Sequence, residues 1–185
     1  FFAVYYRTMD EISHEFMHYH PPRMEGITEE DFDLYHRVID QTYCLHDAML
    51  QRLIQMAGPD TAVVLVSDHG YHSDHLRPKF TPRVPAGITV WHRQHGVFAA
   101  SGAGIKQDEL VFGARLLDVA PTILHYFGLP VGEDMEGRAL TEVFSENRPV
   151  ATIRSWERED RPARARLNLS EGGRQQLLEQ FVALG

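Results

Sequence analysis

The chain has 185 residues and a formal net charge of −8, from 18 Lys and Arg against 26 Asp and Glu. This length is enough for one domain with a sizeable core, and the acidic balance argues against a nucleic-acid scaffold as partner, because such binding needs a basic surface. The sequence predicts no membrane span, and its single cysteine, Cys44, excludes an intrachain disulfide framework.

The first segment, Phe1 to Tyr6, is apolar and aromatic and predicts a buried strand. It has no starting Met and no basic leader, so it is not typical of a signal peptide. We interpret it as a strand entered in the middle of a domain. A polar, histidine-rich segment follows over residues 10–20.

One long amphipathic helix is predicted next, with Thr28 as its cap and apolar residues at helical spacing up to Leu53. Gly58 and Pro59 end it. The unbroken apolar run of residues 61–67 then predicts a central parallel strand that is covered on both faces. Strand, helix and strand in this order are typical of a βαβ unit.

Further along the chain, residues 71–94 have no clear period and predict a long functional loop. A short strand is expected over residues 96–101 and a helix over residues 116–127. Residues 151–171 are typical of a solvated surface segment, and residues 172–184 predict a last helix.

The most informative motif is the tetrapeptide Ser-Asp-His-Gly at residues 67–70. It directly follows the predicted buried strand, and ligands bind at the carboxyl ends of strands in open α/β sheets. Asp68 and His69 are side chains that suit zinc or manganese. In the alternative interpretation, Asp68 only caps the next element and His69 covers it.

A second pair, Asp10 and His14, also follows a predicted strand. Four residues apart on a helix, they share one face and can hold one ion. The alternative is a capping Asp beside a surface His.

A third candidate comes from the histidines at positions 92 and 95, which spacing alone does not separate. We favour His95, because Gly96 leaves room for a close approach at the entry of the next strand, and expect His92 to be a loop histidine. Asp10, His14 and His95 would make a three-ligand metal site with an open position.

Three loop residues, His72, His75 and Arg93, are candidates for contact with an anionic substrate. Solvated loop side chains are the competing interpretation.

Taken in order, six segments resemble the alkaline phosphatase superfamily, and within it the type I phosphodiesterase/nucleotide pyrophosphatase-like branch. They are Asp10–His14, Ser67–Gly70, His95–Phe98, Gly102–Lys106, Leu117–Leu124, and Gly128–Pro130 with Asp134–Arg138. The resemblance implies an α/β three-layer sandwich with a mostly parallel central sheet, of which the N-terminal half would be absent from residues 1–185.

The same resemblance implies two divalent metal ions, zinc or manganese, and a phosphate ester substrate. Asp10, His14 and His95 would hold one ion, and Asp68 and His69 the other. The Thr or Ser nucleophile would lie in the missing N-terminal half of the same domain, so residues 1–185 alone would be inactive.

We therefore expect part of a metal-dependent phosphodiesterase or phosphomonoesterase. Residues 1–150 would be the C-terminal part of the catalytic domain, and residues 151–185 a surface segment and helix that could lead to another domain. Two alternatives stay open: a non-catalytic metal-binding or interaction module, and a mutase-like or sulfatase-like member of the superfamily.

Overall fold

The computed structural model describes residues 1–84 and 86–157. The chain divides into two compact units. The described part of the first unit comprises residues 1–56, 69–84 and 86–96, and that of the second comprises residues 57–68 and 97–157. The helix predicted over residues 172–184 and most of the surface segment predicted before it lie outside the described residues.

The described part of the first unit is rich in helices. The first, α1, begins at Thr8, just before the predicted polar segment, and α2 begins after Thr28, whose hydroxyl oxygen accepts a hydrogen bond from the Asp31 N–H at 3.0 Å. This confirms the predicted cap. The helices are α1, Thr8–Phe16; α2, Glu29–Tyr35; and α3, Val38–Ala57.

The single long helix that the sequence predicts is interrupted between α2 and α3, which corrects that prediction. The interruption falls at His36 and Arg37. The His36 Nδ1 lies 2.9 Å from the Phe32 carbonyl oxygen and 3.2 Å from that of Asp33. A side chain that bonds the preceding turn competes with the backbone for these carbonyls, and periodicity does not reveal this competition.

The strands of the first unit form a short antiparallel ladder. β2 (Gly70–Tyr71) pairs with β3 (His92–Arg93), so that Gly70 lies opposite Arg93 and Tyr71 opposite His92. The segment between them, predicted as a loop, contains two 3₁₀ turns, Asp74–Leu76 and Gly87–Trp91. A small core closes beneath the ladder and consists of Met17, Ile39 and Trp91, with Ile12, Phe16, Met24 and Tyr71 packed against it.

A buried arginine, Arg77, ties this segment to the chain that follows α1. Its guanidinium group donates to the carbonyl oxygens of Asp74 at 2.8 Å and Met17 at 3.1 Å, and also to those of His20 and Pro22. The buried guanidinium group is thereby supplied with hydrogen-bond acceptors.

In the second unit, β1 (Ala62–Val66) pairs with β4 (Phe98–Gly102), which confirms both predicted strands. Their pairing is antiparallel, however, and Val64, Leu65 and Val66 are 37–45% exposed. The prediction of a parallel strand covered on both faces is therefore wrong for β1 as the structure shows it. An unbroken β-branched run indicates strand propensity, but it does not indicate the direction of the neighbouring strand.

The second unit is completed by α4 (Val119–Tyr126), which follows a 3₁₀ turn within the range predicted as a helix. Asp118, at the junction, is fully buried and accepts the backbone N–H groups of Arg115 and Arg138, each at 2.8 Å. Leu140, Val143 and Phe144 form the core, and β5 (Val131–Gly132) pairs in parallel with β6 (Thr152–Ile153).

The segment Phe1 to Tyr6 differs from its prediction. It forms no strand, and all six of its residues are exposed. Among the described residues, ladders join only β1 with β4, β2 with β3 and β5 with β6, so no ladder satisfies the backbone of this segment. No helix in the described ranges is both long and apolar enough to cross a membrane.

Candidate metal centre

Helix α1 places two polar side chains on one face of the first unit. Asp10 and His14 are one helical turn apart, and the Nε2 atom of His14 lies 3.4 Å from the Oδ1 atom of Asp10. The side chain of His14 is only 7% exposed. The structure thus confirms that α1 brings this pair together, as the four-residue spacing predicts.

The β2–β3 ladder brings a third side chain to the same place. His92, at the start of β3, has its Nε2 atom 2.9 Å from that of His14 and 3.6 Å from Asp10 Oδ1. The ladder depends on Gly70, because a Cβ atom there would come within 2.9 Å of the His95 carbonyl oxygen. A close approach of two backbones is a reason for glycine at this position.

His69 completes the cluster from the residue before β2. Its Nε2 atom lies 3.6 Å from Asp10 Oδ1, and its ring stacks on that of His92 with 3.8 Å between centroids. Three imidazole nitrogens therefore surround one carboxylate oxygen.

The spacing of these atoms fits a metal ion. Two ligand atoms held about 2.0–2.1 Å from a tetrahedral ion are about 3.3 Å apart. The three separations among the ligand atoms of Asp10, His14 and His92 are 2.9, 3.4 and 3.6 Å, and these residues form a group of possible metal ligands in the structure.

The electrostatics of the cluster favour the same chemistry. Burial lowers the pKa of His14, although the neighbouring carboxylate of Asp10 opposes the shift. A neutral imidazole is the form that binds a metal ion. The Nδ1 atom of His14 is buried and has no hydrogen-bond partner among the described residues, so this side of the ring adds no contact that favours the protonated form.

Tyr71 contacts the side chains of this group. Its hydroxyl donates to Asp10 Oδ1 at 2.6 Å. Burial and this hydrogen bond both raise the pKa of Tyr71, so the phenol keeps its proton and remains a donor.

Two of the predicted ligands, Asp68 and His95, are not among the group of possible metal ligands. Asp68 is exposed and belongs to the second unit, and His95 is exposed outside the group of possible ligands. The group of possible ligands contains His92 instead of His95. The roles of Asp68 and His95 as ligands stay predictions from the sequence.

The residues predicted to contact a substrate lie on β3 and in the segment between β2 and β3. Arg93 is exposed on β3, and His75 is exposed in a 3₁₀ turn. His72 is half-buried, and its backbone N–H donates to the Trp91 carbonyl oxygen at 2.9 Å. Their contact with a substrate stays a prediction from the sequence.

Sequence reasoning considered His92 but favoured His95, and it did not single out Tyr71. In the structure, the antiparallel register of β2 and β3 places these two residues, His92 and Tyr71, opposite one another. That register depends on how residues 72–91 return the chain, and spacing along the sequence does not specify it.

Comparison with known proteins agrees with the resemblance found from the sequence. Residues 1–79 match the family model of type I phosphodiesterase / nucleotide pyrophosphatase. Asp10, His14, Asp68 and His69 fall within this range, whereas His92 and His95 lie beyond it.

A curated relative points to the same superfamily. The chain is 37% identical over 84 residues to a 2,3-bisphosphoglycerate-independent phosphoglycerate mutase of Thermomicrobium roseum. The match covers 42% of this chain and 15% of the relative, so the chain spans only a small part of that protein's length. No solved structure matches the chain. The family match and the relative together confirm the resemblance to the alkaline phosphatase superfamily.

Proposed function

We propose that this chain supplies metal ligands to a metal-dependent enzyme that transfers the phosphoryl group of a phosphate ester. The observation that carries the proposal is the convergence of Asp10, His14 and His92 within one region of the first unit. A match to the phosphodiesterase family over residues 1–79 supports the same chemistry.

In this proposal Asp10, His14 and His92 hold one divalent ion, zinc or manganese. One carboxylate and two imidazoles are a common ligand set for catalytic zinc, with a further position open. Asp68 and His69 contribute to a second ion, as the superfamily resemblance implies. When bound, a pair of divalent ions stabilises the attacking and leaving oxygens in phosphoryl transfer.

The remaining residues have supporting roles. His72, His75 and Arg93 are proposed to meet the phosphate ester, where the permanent charge of Arg93 suits an anion. The resemblance assigns the nucleophilic Thr or Ser to a part of the protein outside residues 1–185, and that assignment belongs to the proposal.

We favour hydrolysis of a phosphodiester or phosphomonoester, in line with the description of the matching family. A phosphomutase is the second candidate, because the curated relative carries that name. The two differ in the acceptor of the phosphoryl group, which is water in a hydrolase and a substrate hydroxyl in a mutase.

The assignment of ligands is tested by zinc binding to two matched variants, His92→Ala and His95→Ala. If His92 is a ligand, its loss should weaken zinc binding by at least about 100-fold, since a metal site with one ligand fewer binds far less tightly. The exposed His95 should then tolerate the same change. The reverse pattern would restore the ligand set expected from the sequence, and loss of zinc in neither variant would contradict both sets.

The reaction is tested with the complete protein, loaded with zinc or manganese. Release of inorganic phosphate from a monoester, cleavage of a diester, and transfer to an added alcohol distinguish the phosphatase, phosphodiesterase and mutase alternatives. A protein that binds zinc tightly and transfers no phosphoryl group under any of these conditions would instead be a non-catalytic metal-binding module.

A further inference from the structure

The tyrosine of β2 contacts every side chain of the metal cluster. The hydroxyl of Tyr71 lies 2.6 Å from Asp10 Oδ1 and 3.0 Å from the Asp10 carbonyl oxygen. Its ring meets those of His14 and His92 edge-on, with centroids 5.1 and 5.2 Å away, and lies 5.8 Å from that of His69. A side chain that serves only the core has no need of these polar contacts.

Tyr71 donates its hydrogen bond to the same Asp10 oxygen that the histidine nitrogens surround. Oδ1 is the atom around which the Nε2 atoms of the histidines lie, at 3.4–3.6 Å. A carboxylate oxygen carries two lone pairs. A hydrogen bond from the phenol occupies one and leaves the other for an ion, and it also fixes the rotation of the carboxylate on α1.

The hydrogen bond from Tyr71 to Asp10 also joins two separate elements of the first unit. Tyr71 lies opposite His92 in the ladder, whereas Asp10 belongs to α1. The phenol therefore connects the helix that carries two ligands with the ladder that carries the third.

We propose that Tyr71 is a positioning residue, whose hydroxyl holds Asp10 Oδ1 in register with the ligand histidines. The inference rests on the proposed metal site and adds to it a residue that does not touch the ion. Partners of this kind orient metal ligands, and their loss typically reduces metal affinity by about 10–100-fold.

The test uses Tyr71→Phe, which removes the hydroxyl and keeps the ring. Zinc affinity is measured by competition with a chelator, beside Tyr126→Phe as the matched control. The Tyr126 hydroxyl donates to the Ala103 carbonyl oxygen at 3.2 Å in the second unit. We expect zinc binding to weaken about 10–100-fold in Tyr71→Phe and to stay unchanged in Tyr126→Phe.

Two further readouts separate positioning from a general loss of structure. In the cobalt-substituted protein, Tyr71→Phe should change the visible absorption bands of the bound ion, because those bands report ligand geometry. Tyr71→Phe should also have little effect on zinc affinity in an Asp10→Ala background, where its side-chain acceptor is already lost. An equal effect in both backgrounds would show that Tyr71 does not act through Asp10.

The outcomes distinguish this inference from the proposed function. If the unaltered protein binds neither zinc nor cobalt, the proposed metal site itself fails and the role of Tyr71 fails with it. If the unaltered protein binds both ions and Tyr71→Phe matches it in affinity and spectrum, only the positioning role is overturned.

Discussion

Single residues decide how the candidate site is assembled. The pair of Asp10 and His14 follows from the sequence, because helical spacing fixes which residues share a face. The choice between His92 and His95 does not follow from the sequence, since both lie at the exit of an irregular segment. The sequence favoured His95 because of the neighbouring Gly96, and the structure shows a close backbone approach at Gly70, against the carbonyl of His95.

A buried histidine outside the site predicts how stability depends on pH. His125 on α4 is buried, with its ring 5.4 Å from that of Phe144. Burial, and secondarily Arg148, lower its pKa below the ordinary value of 6.5. The unfolded chain therefore binds a proton first as the pH falls, so folding stability present above pH 6.5 is lost below it.

We expect His125→Gln to flatten this acid-dependent loss. The measurement is the urea midpoint at several pH values between 7.5 and 5, compared with the unaltered protein. His75→Gln, at an exposed position, is the control and should leave the slope unchanged. An unaltered slope in His125→Gln would show that other groups cause the acid sensitivity.

The boundaries of the helices were only partly predictable from the sequence. The start of α2 and the end of α3 were predictable, because Thr28 and the Gly58-Pro59 pair are local signals. The break between α2 and α3 was not, since it coincides with one imidazole that bonds two carbonyls of the preceding turn.

The connection through Arg77 predicts a large effect on stability. Arg77→Ala removes a buried guanidinium group and all of its hydrogen bonds to carbonyl oxygens, which should cost about 2–4 kcal/mol of unfolding free energy. The exposed Arg23, which donates to the Ile27 carbonyl oxygen at 2.9 Å, provides the control. Arg23→Ala should cost less than about 0.5 kcal/mol. Urea unfolding measures both, and similar losses would contradict the role assigned to Arg77.

The junction at Asp118 allows the same kind of test in the second unit. Its carboxylate accepts two backbone N–H groups, and its carbonyl oxygen accepts the Thr122 hydroxyl at 2.6 Å. Asp118→Ala would leave two buried donors unpaired and should destabilise the protein by about 2–4 kcal/mol.

The matched control for Asp118 is Glu142→Gln, which weakens the exposed contact with Arg138 at 2.6 Å. Surface ion pairs contribute about 0–1 kcal/mol. Thermal unfolding should therefore separate the two variants clearly. An Asp118→Ala protein as stable as the Glu142→Gln protein would show that water replaces the carboxylate as acceptor.

For the whole molecule, the sequence predicted the family resemblance better than the arrangement of strands. Six short motifs in a fixed order indicated a resemblance to the superfamily, and the family match over residues 1–79 agrees with that resemblance. The run at β1 predicted a strand correctly but not its antiparallel partner β4. Pairing depends on segments distant in the sequence, whereas a motif carries its information locally.

The shortness of the β2–β3 ladder has a consequence for insertions and deletions. A shift of its pairing by one residue would place Arg93 instead of His92 opposite Tyr71, and would exchange a proposed ligand for a permanent cation. Among natural variants, we therefore expect no length changes at positions 69–71, because such changes would displace the proposed ligands.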